Sequence, residues 1–228
     1  MALPHDQSDL SRIYAQRFQD NLEYRKHIWR VLITSFFQKY IPKKGSVLDL
    51  GCGYGEFINQ VTAGSKRAMD MNPDAAGHLA DGVAFLQQDC SRPWPIEPES
   101  LDTVFTSNFF EHLPDKGALG RTLDQIHTAL KPGGCLIAMG PNIRCTRGAY
   151  WDFWDHYVPL TEKSLGEALC NRGFHLARCT ARFLPYTMAG KRPTPLIFVR
   201  AYLFLEPIWP LFEQQFLVVA EKRLPLGR

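Results

Sequence analysis

The chain has 228 residues, 45% of them apolar and 21% charged, with a net charge of +3. That is globular composition, and length enough for one domain with its own core, which excludes disorder, collagen and coiled coil. The charge is uneven: residues 1–44 carry eight Lys/Arg against four Asp/Glu, residues 45–142 six against twelve, and residues 143–228 twelve against seven. No basic run is long enough to argue for nucleic acid.

The start, Met1-Ala2-Leu3-Pro4-His5, shows neither a secretory pattern nor a glycine for myristate, so a cytoplasmic protein is expected. Cys52, Cys90, Cys135, Cys145, Cys170 and Cys179 form no C-x-x-C pair. They read as reduced, mostly structural thiols.

In chain order, apolar residues from Ile13 to Phe37 recur at spacings near three and four, which predicts helix over 9–40, ended by Pro42. Ser46 to Leu50 reads as a short strand, and the cluster Gly51-Cys52-Gly53-Tyr54-Gly55 leads into an expected helix of about ten residues. Further strands are expected at Arg67–Met71, Val83–Leu86, Asp102–Thr106 and Cys135–Met139, with helices between them, notably Ala118–Leu130. The last third reads as helix from Thr161 to Asn171, a strand within 174–185, an apolar, proline-punctuated stretch over 194–212 and a strand at Phe216–Ala220. Alternation of strands and helices implies an α/β fold with a largely parallel sheet covered on both faces. The stretch 194–212 is too interrupted to span a bilayer and is either packed cap or a weak membrane-surface contact.

A strand ending in Gly-x-Gly-x-Gly lets backbone approach a ligand closely. A dinucleotide site would want G-x-G-x-x-G, and the position of its third glycine holds Glu56, which disfavours a pyrophosphate. Asp49 beside the loop suits a ligand with an ammonium group. Asp70 ends the second strand where a Rossmann-like fold sets an acid against a ribose, and Asp89 follows the third strand.

On these residues the chain resembles the class I S-adenosylmethionine-dependent methyltransferases of the bacterial small-molecule type. Val47 to Gly55 looks like their first motif, Leu101 to Phe105 their fourth strand, and Leu130-Lys131-Pro132-Gly133-Gly134 the turn before their fifth. The resemblance implies a Rossmann-like, doubly wound seven-stranded sheet with the last strand antiparallel. It also implies S-adenosylmethionine bound with its ribose on Asp70, its adenine between Met71 and Asp89-Cys90, and its methionine end over Gly51, Gly53 and Gly55 near Asn108. Tyr14 and Arg17 are similar to the helix that closes over the cofactor, with Arg17 placed to pair with its carboxylate or simply exposed. The domain plan that follows is one unit over 1–228: a helical cap (1–44), a cofactor-binding core (45–140), and an acceptor loop with C-terminal strands (141–228).

An acceptor pocket is expected where the fourth and fifth strands end. His112 of the pair Glu111-His112 is a candidate general base or a structural brace. The segment Tyr150 to Tyr157 offers Trp151 and Trp154 for stacking on a ring, with Asp152, Asp155 and His156 for hydroxyls, or else it is a self-packed lid. The chain lacks the Asn/Asp-Pro-Pro-aromatic signature after the fourth strand and any Pro-Cys dipeptide, which argues against DNA-base acceptors. Gly140-Pro141-Asn142 after the fifth strand argues against a catalytic metal. The expected activity is methyl transfer to a small molecule, foremost an oxygen of a sugar, glycosylated intermediate or natural product. Aromatic, quinone-like or nitrogen acceptors, and a non-catalytic cofactor-binding partner protein, are the alternatives.

Overall fold

The computed structural model describes residues 22–184, 194–209 and 214–224. One seven-stranded sheet has the order β3-β2-β1-β4-β5-β7-β6. Its strands are β1 (Ser46–Leu50), β2 (Ser65–Asp70), β3 (Val83–Gln87), β4 (Leu101–Ser107), β5 (Leu130–Pro141), β6 (Phe174–Leu184) and β7 (Gln215–Lys222). Strands β1 to β5 pair in parallel, and β7 runs antiparallel between β5 and β6. This is the Rossmann-like sheet with an antiparallel last strand that the family resemblance implied.

Side chains alternate across each strand, so every central strand feeds two cores. Leu48, Leu50, Val104, Leu136, Ala138, Phe216 and Val218 enter one core. Val47, Phe105, Ile137, Met139, Leu217 and Val219 enter the other. Near-continuous apolar runs in β4, β5 and β7 follow from burial on both faces.

Helix α1 (Leu22–Ser35) covers the second core with Ile28, Leu32 and Ile33, and Trp29 meets Phe57 and Phe105 edge-on at 6.2 and 5.9 Å. A 3-10 turn at Phe37–Tyr40 follows it, so the helix expected over 9–40 is two pieces here, and its first part, with Tyr14 and Arg17, lies outside the described residues. On the other face, α2 (Lys116–Ala129) starts where the Asp115 carboxylate accepts from the Ala118 amide at 2.7 Å. It buries Leu119, Leu123 and Ile126. After the single turn α3 (Ile143–Thr146), α4 (Glu162–Cys170) opens with a capping box between Thr161 and Ser164. The last helix, α5 (Leu196–Phe204), packs beside α1.

The connections after β1, β2 and β3 differ from expectation. Among the described residues they hold turns and a 3-10 segment (Pro73–His78) rather than α-helices. Three positive-φ glycines occupy the chain as far as Gly55, and at Thr62 the amide already bonds the Gln38 side chain, leaving room for little more than a helical turn or two. Between β3 and β4, Pro93, Pro95 and Pro98 block a helix outright.

Candidate cofactor and acceptor site

The chain winds away from β1 toward β2 and back to β4, so a crevice opens at the carboxyl ends of β1 and β4. Gly51, Gly53 and Gly55 lie there with φ of +69°, +52° and +73°, a region that side chains enter only at a cost. The Gly51 and Cys52 amides both donate to the Met69 carbonyl, at 2.8 and 3.2 Å, which ties the loop to β2. A Cβ at Gly51 would lie 2.3 Å from the Phe109 ring, so that ring presses directly on the loop backbone.

Asp70 ends β2 almost fully buried, and its carboxylate accepts from the Gly53 amide at 3.0 Å and the Asn72 amide at 2.9 Å. Asp49 is buried beneath the same loop. Burial first, then the charges on Glu56 and Asp70, push its carboxyl well above the usual range, against a bond from the Ile58 backbone. Glu56 pairs with Arg25 of α1 at 2.7 Å. Three carboxyl groups thus converge on the loop, an arrangement that favours a ligand bringing positive charge.

Next to them, Met71 follows β2 and its carbonyl accepts from Gln87 at 3.4 Å. Asp89 caps its own turn through the Ser91 amide at 2.8 Å. The Cys90 thiol packs on the Thr122 hydroxyl at 3.3 Å, burial pushes it up to about 12, and the Cys90 carbonyl accepts from the Trp94 indole. Cys90 can therefore offer a ligand little besides its backbone.

Beyond β4, Asn108 holds a positive φ of +49° with its amide on the Met139 carbonyl, which leaves its side chain exposed at the crevice. The 3-10 turn Phe110–His112 follows, and the Glu111 carbonyl receives the Tyr157 and Val158 amides at 2.8 and 3.1 Å. Those bonds lock the segment after β4 to the one after β5. His112 Nδ1 lies 2.9 Å from the Asp155 carbonyl and 3.1 Å from its carboxylate. Burial opposes charge on His112, but the Asp155 hydrogen bond and the Glu111 and Asp155 charges outweigh it and raise its pKa above the ordinary histidine value. With Nδ1 so engaged, Nε2 is the nitrogen left to meet a ligand.

The aromatic segment divides. Tyr150 is wholly buried and donates to the Val158 carbonyl at 2.7 Å, while Phe153 stacks on His156 at 5.0 Å. Asp155 and His156 turn inward against His112, whose ring lies 5.0 Å from that of His156. Trp151 and Trp154 face outward, 57% and 85% exposed, with Asp152 exposed between them. Among the described residues, Glu111, His112 and His156 also bring donor atoms within 4.8 Å of one another, a set able to hold a metal ion. Nothing local in the sequence announces these partnerships, because Asp155 and His156 stand 43 and 44 positions beyond His112. The Arg25–Glu56 pair and the seat of Phe109 on Gly51 were likewise invisible in the sequence.

Residues 22–178 match the family described as a methyltransferase domain. A demethylmenaquinone methyltransferase from Roseiflexus sp. (strain RS-1) is 25% identical over 133 residues, covering 55% of this chain and 56% of that protein. The chain spans about half the length of the curated relatives it matches. A methyltransferase from Archaeoglobus fulgidus aligns with a TM-score of 0.66 at 18% identity, over 93% of this chain and 99% of its own. The N-methyltransferase NodS from Bradyrhizobium japonicum WM9, in complex with S-adenosyl-l-homocysteine, aligns with 0.63 at 16% identity, over 95% and 97%. With the family match spanning most of the chain and the fold shared with these methyltransferase structures, this protein belongs to the class I S-adenosylmethionine-dependent methyltransferases.

Proposed function

We propose that the protein transfers the methyl group of S-adenosylmethionine to an oxygen of a small-molecule acceptor held between the glycine loop and the His112–Asp155 pair. The residues present fit this cofactor: a positive-φ glycine cradle, a buried acid at the end of β2, and an excess of carboxyl groups toward a cationic ligand. Gly51, Gly53, Gly55, Asp49 and Asn108 would surround its methionine end, Asp70 its ribose, and Met71, Asp89 and Cys90 its adenine. When bound, the cofactor supplies an electrophilic methyl group on a sulfonium.

The observation that supports the catalytic reading is the His112–Asp155 pair, with His112 on the turn that follows β4. His112 Nε2 takes the acceptor's proton as the new oxygen–carbon bond forms, and Asp155 keeps the imidazole oriented and stabilises the imidazolium. The rest of the acceleration comes from holding acceptor and methyl in line. His112→Gln lowers turnover by about 10²–10⁴ while leaving cofactor affinity unchanged. Methyl-labelled cofactor with pooled acceptors supplies the assay, and wild-type turnover in that variant, or cofactor binding without transfer to any acceptor, would overturn the reading.

For the acceptor, Trp151 and Trp154 offer flat exposed faces to a sugar ring, with Asp152 beside them for hydroxyls. A flat aromatic or quinone-like acceptor is the second reading. It is favoured because Asp155 and His156 turn toward His112 instead of outward, and because the Roseiflexus relative is named for such chemistry. Saturation-transfer NMR with sugar and phenolic sets on wild type and Trp154→Ala separates them: contacts to phenolics alone, lost in the variant, exclude the sugar.

A further inference from the structure

We infer that the outward face of α5 is a membrane-contact surface, one that seats the protein on a bilayer containing anionic lipid. The helix buries Val199 and Leu203 against the core beside α1. Its other side carries Ile197, Phe198 and Phe204, 67%, 64% and 70% exposed, and is continued by Leu205 at 50%. With exposed Ala201 among them, positions 197, 198, 201, 204 and 205 fall on one side of the helix. A helix face turned to water normally carries polar groups, and four large apolar side chains together mark a contact surface.

The charges around the face select its occupant. Arg200 is the one charged residue in α5 and is exposed at the edge of the stripe, beside Phe204. Glu206, the one acid in 194–209, is held by both guanidinium nitrogens of Arg178, at 3.2 and 2.6 Å, so its charge is matched. Exposed Arg30 and Lys39 lie on and just after α1, the helix that packs beside α5. Apolar side chains bordered by the Arg200 cation, with further exposed cations on the neighbouring element, fit the boundary between acyl chains and anionic headgroups, where the Arg200 stem would lie along the apolar layer and its guanidinium reach phosphate. A second copy docked through this face would bring two Arg200 side chains into one apolar seam, an arrangement that burial of unpaired charge opposes.

At nine residues α5 cannot cross the bilayer, and no described helix is long and apolar enough to do so. The face begins at the site's end of the molecule, because the Tyr24 hydroxyl of α1 donates to the Thr194 carbonyl at 3.0 Å, one residue from Arg25, the partner of Glu56. The inference stands whichever acceptor is methylated.

The test is co-sedimentation of the full chain with phosphatidylcholine vesicles and with vesicles of about three parts phosphatidylcholine to one part phosphatidylglycerol. The wild type is expected to pellet with the second kind, less with the first, and less as salt rises. Phe198→Ser with Phe204→Ser should weaken partitioning by about tenfold or more, with cofactor affinity unchanged. Arg200→Glu, which leaves the packed side of α5 intact, should weaken binding to the anionic vesicles alone and reads the same surface if the double variant fails to fold. Wild type remaining in solution with anionic vesicles, or variants that pellet like wild type, would overturn the inference. So would a wild-type dimer in sedimentation velocity that the double variant splits, since the face would then belong to a second copy.

Discussion

Replacing Gly51 by alanine separates two constraints on the cofactor loop. The first is backbone: at φ +69° an L-residue costs about 1–2 kcal/mol. The second is steric, since the new Cβ would lie 2.3 Å from two ring atoms and 2.8 Å from Cβ of Phe109, side-chain atoms of a residue packed against the core. Forcing that ring aside is overpacking, worth about 1–3 kcal/mol, so Gly51→Ala should destabilise by about 2–5 kcal/mol in all. Gly82 isolates the first constraint, because its φ is +83° and a Cβ there meets nothing within 4 Å. Gly82→Ala should therefore cost only the backbone share, and the loss of glycine entropy in the unfolded chain is common to both variants. Urea denaturation measures each, and repeating Gly51→Ala in a Phe109→Ala background closes a double-mutant cycle. Near-equal costs at Gly51 and Gly82, or no relief from Phe109→Ala, would show that Phe109 does not press on the loop.

Two further outcomes follow from the same geometry. Asp70→Ala removes the acceptor for two amides and the proposed ribose partner, and should weaken S-adenosylmethionine by about 1.5–3 kcal/mol in calorimetry, with unchanged affinity refuting the assignment. Asp155→Asn should lower the His112 pKa, read from imidazole NMR titration. The raised folded pKa of His112 means that the pair stabilises fully below the unfolded value near 6.5 and loses this as pH rises through the folded value. The stability gap between wild type and Asp155→Asn should therefore close on going alkaline, and a gap that widened would contradict the pairing.

Much of the fold was legible in the chain because its signals are local. Apolar runs in β1, β4 and β5 reflect burial on both faces, and the helix expected from Thr161 starts within a residue of it. The helix expected after Gly55 failed because three positive-φ glycines and the Gln38 bond to Thr62 consume the segment, a long-range constraint that periodicity does not register. Which aromatics between Tyr150 and Tyr157 pack and which face outward was likewise not legible. Burial, not residue type, decides that Tyr150 is a pin and Trp154 a free face.

The sequence by itself determined the class of ligand: the glycines at a strand end, with Asp49 in the first strand, Asp70 ending the second and Asp89 after the third, form a local pattern that resembles the motifs of S-adenosylmethionine-dependent methyltransferases. Only the tertiary structure decided what the remaining polar groups do. Asp155 reaches His112 across 43 positions, Arg25 reaches Glu56 across 31, and α5 shows its apolar side outward, because chain folding brings together residues whose separation in sequence carries no trace of the contact. Hydrogen bonds and ion pairs act over about 3 Å of space, whatever the number of residues between them.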